Sequence, residues 1–159
     1  MTRETSMPAA KAFELCGGCR AIGYCRFGVT TESLEADGSA RFDLACPDHH
    51  EGGAGTAHGG WTAAAMEEIL GRVVYLQGAL SVAKSISIDF LKPVPMQRPL
   101  LGSSWVVRRD ERKWYLAGEL VLASSRAVLA RATGISILVD GTAHRERFQR
   151  WLQEQGRDP

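Results

Sequence analysis

The chain has 159 residues and a mass of 17.3 kDa, with 45% hydrophobic and 23% charged residues. That composition suits one domain with a real core and excludes both a disordered chain and two full domains. Nineteen Lys and Arg against 18 Asp and Glu leave a formal charge of +1, so no whole-domain field draws the protein to nucleic acid or to an acidic membrane.

No apolar run approaches the roughly 18–20 residues that span a bilayer. The stretch MTRETSMPAAKAFELCGG lacks the apolar segment of a signal peptide. The expected compartment is the cytoplasm, where thiols stay reduced. Residues 1–38, rich in Gly, Cys and small polar residues, read as an irregular arm. Cys16, Cys19 and Cys25 stand in it as C-x-x-C-x5-C, with Cys46 further on. A metal site would draw its fourth ligand from Cys46, His49 or His50. The spacing is shorter than in common zinc modules and no second C-x-x-C follows, so we expect reduced, partly buried thiols and no metal. A framework of disulfides does not suit the expected compartment.

SARFDLAC, residues 39–46, reads as a strand with Phe42 and Leu44 on one face. The loop CPDHHEGGAGTAHGG follows, and a helix runs from about Gly60 to Gln77. Met66, Ile69, Leu70, Val73 and Leu76 form its apolar stripe, and Gly78 is its stop. An interior glycine costs about 1 kcal/mol relative to alanine, so Gly71 implies close approach of another backbone. The period then changes to 2 in KSISIDFLKPV, where Ile86, Ile88 and Phe90 alternate with polar residues until Pro93. Residues 100–109, 114–123 and 128–139 read as three more strands, so that four strands form a meander. Residues 142–155 read as a terminal helix with Thr142 as N-cap and Phe148, Trp151 and Leu152 as its stripe. The whole is α+β: an arm (1–38), a domain of one antiparallel sheet on one long helix (39–141) and a short C-terminal helix (142–159). The sheet's edges imply oligomerisation.

Glu67 and Glu68 adjoin in the long helix, but helix geometry separates them. Glu68 has Arg72 one turn on, the arrangement of a solvated ion pair. Glu67 shares its stripe with Gly60, Ala64, Gly71 and Val74 and has no cation one turn away. A carboxylate there belongs to a cleft or an interface, where desolvation raises its pKa and suits it to acid, base or nucleophile work. His58, Gly59 and Gly60 stand at the helix start, where unpaired N–H groups can hold a carbonyl oxygen that is becoming an oxyanion.

GTAHGGWTAAAMEEILG, with SISIDFLKPV and VLARATGISILV, resembles the hotdog-fold acyl-CoA thioesterases with an HGG motif, of the phenylacetyl-CoA and 4-hydroxybenzoyl-CoA type. That family has an acidic residue nine positions after the His, which is Glu67 here. The resemblance covers about residues 39–139. It implies a hotdog fold, an antiparallel sheet wrapped around one long central helix. It also implies a homodimer or a homotetramer of paired dimers, with active sites at the subunit interface. It implies that Gly59 N–H polarises the thioester carbonyl, that Glu67 attacks it or activates water, and that His58 shapes the turn or touches the substrate loop. No cofactor is implied; the partner is an acyl-CoA substrate.

Two helper positions of some relatives differ. Gly52 stands where they carry Asn or Gln, leaving that contact to His50 or to a partner subunit. Gly71 stands where they carry Ser or Thr. Gly60 and Trp61, just inside the helix, are candidate substrate contacts, and Arg108 and Arg109 are candidate contacts for the CoA phosphates. The alternative is a non-catalytic hotdog module that binds acyl-CoA as a sensor or scaffold.

Overall fold

The computed structural model describes residues 9–156. Residues 1–8 of the expected arm and 157–159 of the expected C-terminal segment lie outside the described residues. In chain order the elements are β1 (Lys11–Ala12), α1 (Gly17–Arg20), β2 (Val29–Leu34), β3 (Ala40–Leu44), α2 (Gly59–Leu76), β4 (Ser81–Phe90), β5 (Leu100–Asp110), β6 (Lys113–Leu122), β7 (Val128–Leu138) and α3 (Gly141–Gln155).

All the strands join one antiparallel sheet in the order β1-β2-β3-β5-β6-β7-β4. It wraps α2, which packs against every strand from β2 to β7. Trp61, Ala65, Met66, Ile69, Leu70, Val73 and Val74 of α2 are buried with Phe42, Leu100, Leu116 and Leu120 of the sheet. The 3.6-residue stripe thus meets the inward half of the strands, which is the arrangement of layers expected from the two periods. Gly78, at φ 84°, ends α2 as its position suggests.

Four expectations need correction. The arm is not irregular throughout, because Val29–Leu34 is a strand paired with β3 from Glu32↔Phe42 to Leu34↔Ala40. Its buried positions include Glu32 and Ser33, so no apolar alternation marks it. The four later strands are not one meander. β5, β6 and β7 are, but β4 crosses the sheet and pairs with β7 (Ile86↔Gly134, Ile88↔Ala132), and its other side pairs with no strand among the described residues. The N-cap of α3 is Asp140, whose Oδ1 accepts from Ala143 N–H at 2.8 Å, and not Thr142. Gly71 meets no backbone: a Cβ there would find nothing within 4 Å.

Candidate active site

A short, pinned loop delivers the chain to α2. A single 3-10 turn, Asp48–His50, leads into it. Gly52 N–H donates to Thr56 O at 2.9 Å, and Glu51 Oε1 accepts from Gly55 N–H at 2.6 Å. Ala57 N–H donates to Val94 O at 2.8 Å and so ties the loop to the segment after β4. A Cβ on Gly52 would lie 2.8 Å from His58 Cα. The close approach of the loop to the helix start therefore excludes a side chain at the position where relatives carry an amide.

The first N–H groups of a helix lack intrahelical partners. Here three of four are satisfied locally. His58 N–H donates to His50 O at 2.8 Å, Gly60 N–H to His58 Nδ1 at 2.9 Å and Trp61 N–H to His58 O at 2.9 Å. The remaining one, Gly59 N–H, has no acceptor among the described residues. His58 is thus the N-cap residue, with its Nδ1 serving as acceptor. Gly59 borders a cleft of about 300 Å³ lined by Thr62, Phe90, Leu91, Lys92 and Val94. Phe90 is 59% exposed, and its ring faces Gly59. In the sequence Phe90 reads as one of the strand's apolar residues, and Lys92 as one of the basic residues beside a turn that could meet CoA phosphates. DFLKPV reads as the end of a strand, and only a lysine breaking an apolar run hints at a cleft wall.

Glu67 is exposed on the same helix, eight residues on, which at 1.5 Å per residue is about 12 Å along the axis. Beside it a shallow cleft of about 190 Å³ is lined by Glu68, Gly71, Arg72, Tyr75 and Leu80. Desolvation falls on Glu68 instead. Burial pushes the Glu68 carboxyl up, and the charge of Glu67 pushes it further, with Arg72 opposing.

Arg72 does not form the expected pair with Glu68. It is committed to Glu32, with Nε at 2.5 Å from Oε2 and Nη2 at 2.9 Å from Oε1. The Glu32 side chain is 0% exposed. The guanidinium also lies 4.7 Å from the Phe13 ring centre and 4.4 Å from that of Tyr75.

The other candidates scatter. Gly60 is held by the cap. Trp61 is 2% exposed in the core, with its Nε1 unpartnered among the described residues, so it packs as core and does not present itself at the cleft. His50 Nε2 is 3.2 Å from Arg26 O, which ties the ring to the arm. Arg108 and Arg109 lie over the Tyr115 and Trp114 rings at 4.0 and 4.2 Å. They line a cavity of about 840 Å³ with Asp37, Arg41, Gln77 and Trp105. Arg109 bonds Gln77, at the far end of α2, about 27 Å from Gly59 by helix rise. One chain does not bring these arginines to the HGG turn. The four cysteines are free, and no cluster of metal-binding side chains occurs among the described residues. No described helix is long and apolar enough to cross a membrane.

No curated protein matches the chain. A solved thioesterase superfamily protein is 25% identical with a TM-score of 0.64, over 69% of this chain and 53% of its own; the chain therefore spans about half of that protein. The E. coli PaaI protein from the phenylacetic acid degradation operon is 20% identical, with a TM-score of 0.64 over 79% of this chain and 86% of its own. A Streptococcus mutans protein solved with acetyl-CoA bound is 21% identical, with a TM-score of 0.62 over 70% and 87%. The fold is the hotdog fold of these structures, α+β, one antiparallel sheet around a long central helix. Residues 54–128, from the loop before the HGG turn to the start of β7, match the model of the thioesterase superfamily.

Proposed function

We propose that this protein hydrolyses an acyl-CoA thioester to a carboxylic acid and free CoA, in the cytoplasm and with no group beyond its own side chains and backbone. The observation that carries the reading is the unpaired Gly59 N–H, which opens on a cleft at a helix N-terminus. A thioester carbonyl accepting from it is polarised by that N–H and by the helix's partial positive charge. Donor and dipole favour the oxyanion over the ground-state carbonyl, and that difference lowers the barrier. Lys92, on the lip of the cleft, is a cation within reach of a CoA phosphate.

Glu67 is the carboxylate, as nucleophile or as the base that activates water. It cannot serve the carbonyl held by its own Gly59, because about 12 Å of helix rise separates them. The site is therefore shared. Gly59 of one copy works with the Glu67 of another, in a homodimer or a pair of dimers. Arg108 and Arg109, at the other end of the helix, reach this CoA only from a second copy.

A binding module without turnover is the second reading. What favours it is the bare backbone at both helper positions: Gly52 has no room for a side chain, and Gly71 leaves open space beside Glu67. Thiol release from a panel of aryl- and alkyl-CoA esters separates the two. Glu67→Ala is expected to lower kcat by about 10²–10⁴-fold, while Glu68→Ala keeps most of the turnover. Equal loss in both variants removes Glu67 from its role. Tight ester binding with no turnover in the wild-type protein establishes the module.

A further inference from the structure

The arm holds a pair of thiols that the proposed hydrolysis leaves unused. Cys16 and Cys19 bracket the single turn of α1. The N–H groups of Cys19 and Arg20 both donate to Cys16 O, at 3.1 and 3.0 Å, which fixes the turn. Cys16 is exposed and Cys19 is buried. The Cys19 Sγ accepts from Arg26 N–H at 3.3 Å, so its position is also set by the chain that follows.

The polar groups of Cys19, its backbone first and its thiol second, hold the Cys16 thiol below its ordinary range, against the smaller opposing effects of burial and of Glu68. The remaining thiols behave differently. Burial pushes Cys25 up, and it pushes Cys46 up to about 11. Thiolate character and access together set cysteine reactivity. The chain thus presents one exposed nucleophilic sulfur with a buried thiol one turn away.

We infer that Cys16 and Cys19 form a redox-active dithiol that closes reversibly into an intramolecular disulfide, Cys16 attacking and Cys19 resolving. The oxidant is a small disulfide such as oxidised glutathione. The Cys16 thiolate attacks one of its sulfurs; the external S–S bond breaks, a mixed disulfide forms on Cys16, and one glutathione thiolate leaves. Cys19 then gives its proton to water and attacks the Cys16 Sγ, and the second glutathione leaves. Two electrons pass from the pair to the external disulfide, which ends as two thiols.

Residues three apart on a helical turn hold their Cβ atoms about 5–6 Å apart, whereas a disulfide needs about 3.5–4.5 Å. Closure therefore tightens the turn by about 1–2 Å. The strained, surface-accessible bond that results is easily reduced, which makes the reaction reversible.

The full chain is equilibrated in glutathione redox buffers, quenched by alkylation and mapped by mass spectrometry. The expected product has lost two hydrogen atoms, carries a Cys16–Cys19 link and returns to the dithiol with dithiothreitol. Cys16→Ser abolishes the link, and Cys19→Ser leaves a stable glutathione on Cys16. The rate of alkylation of the reduced wild-type protein needs no variant: Cys16 is modified before the other three. A Cys19–Cys25 link, a Cys16 bridge between copies, a lasting glutathione on Cys16 with Cys19 free, or a Cys16 no faster than Cys46 each overturns the inference.

Discussion

Gly59 sits where a change of one residue removes one hydrogen and little else. It is the first residue of α2, the helical position where proline is most welcome. The preceding His58 lies at φ −61° and ψ 138°, the extended conformation that a following proline demands. A Cβ at Gly59 finds only the Phe90 ring, at 3.8 Å, which is ordinary contact. Gly59→Pro therefore keeps the helix and deletes the unpaired N–H. The expected result is an unchanged circular dichroism spectrum with kcat down by about 10²–10³-fold, the usual loss for one oxyanion donor. Full turnover in this variant removes the HGG amide from the mechanism.

The neighbouring carboxylates give a second prediction at this scale. Burial raises the Glu68 carboxyl, so the folded chain binds that proton more tightly than the unfolded chain does. Stability contributed by this group is fully present below the ordinary glutamate range and is lost as pH rises from that range through the higher value of the folded chain. Glu68→Gln is thus expected to stabilise the protein against urea at neutral pH. The gain should shrink on acidification and vanish below that range. A gain that persists in acid assigns the effect to packing.

At the scale of elements, the arm joins α2 through the core residues Phe13, Cys25 and Val29 and through an ion pair. The buried Glu32 of β2 takes both hydrogen bonds of Arg72, and Glu14 binds Tyr75 Oη at 3.0 Å. Removing one member of a buried pair costs about 3–5 kcal/mol, because the other charge stays buried without a partner. Lys11 Nζ, 3.6 Å from Glu32, partly replaces it. Arg72→Leu should therefore destabilise by the lower end of that range, about 3 kcal/mol by urea unfolding, and should expose the arm to limited proteolysis before the rest of the chain unfolds.

This pair also shows where sequence reading stops. The long helix and the strands from Leu100 to Leu138 were legible because their apolar periods are strong and local. β2 was not, since a strand that buries a glutamate carries no alternating signal. The placement of β4 beside β7 depends on which edge is vacant and not on proximity in sequence. In the site, the HGG turn and the separate faces of Glu67 and Glu68 followed from helix geometry. Which carboxylate is desolvated did not, because Glu32 takes Arg72 from forty residues away in the sequence. Trp61 faces the core and the arginine pair sits at the far end of α2, matters of tertiary packing that spacing does not encode.

At the scale of the whole molecule, the outer side of β4 pairs with no strand among the described residues. That edge runs along ten residues, and Ile86, Phe90 and Leu91 are exposed on and beside it. Long free edges pair readily with other strands, and a two-fold contact would bring the same surface of a second copy against this one. Such a contact is also what the proposed chemistry requires, since Gly59 and Glu67 of one chain stand too far apart for one carbonyl. Complementation tests both at once. Gly59→Pro lacks the donor and Glu67→Ala lacks the carboxylate, so each variant alone is expected to be nearly inactive. Co-refolded in equal amounts, about half of the dimers are mixed, and each mixed dimer holds one complete site out of two. Thiol release should return to about a quarter of the wild-type rate. No recovery, with mixed dimers demonstrated by mass, would mean that each chain completes its own site, and the shared arrangement would have to be abandoned.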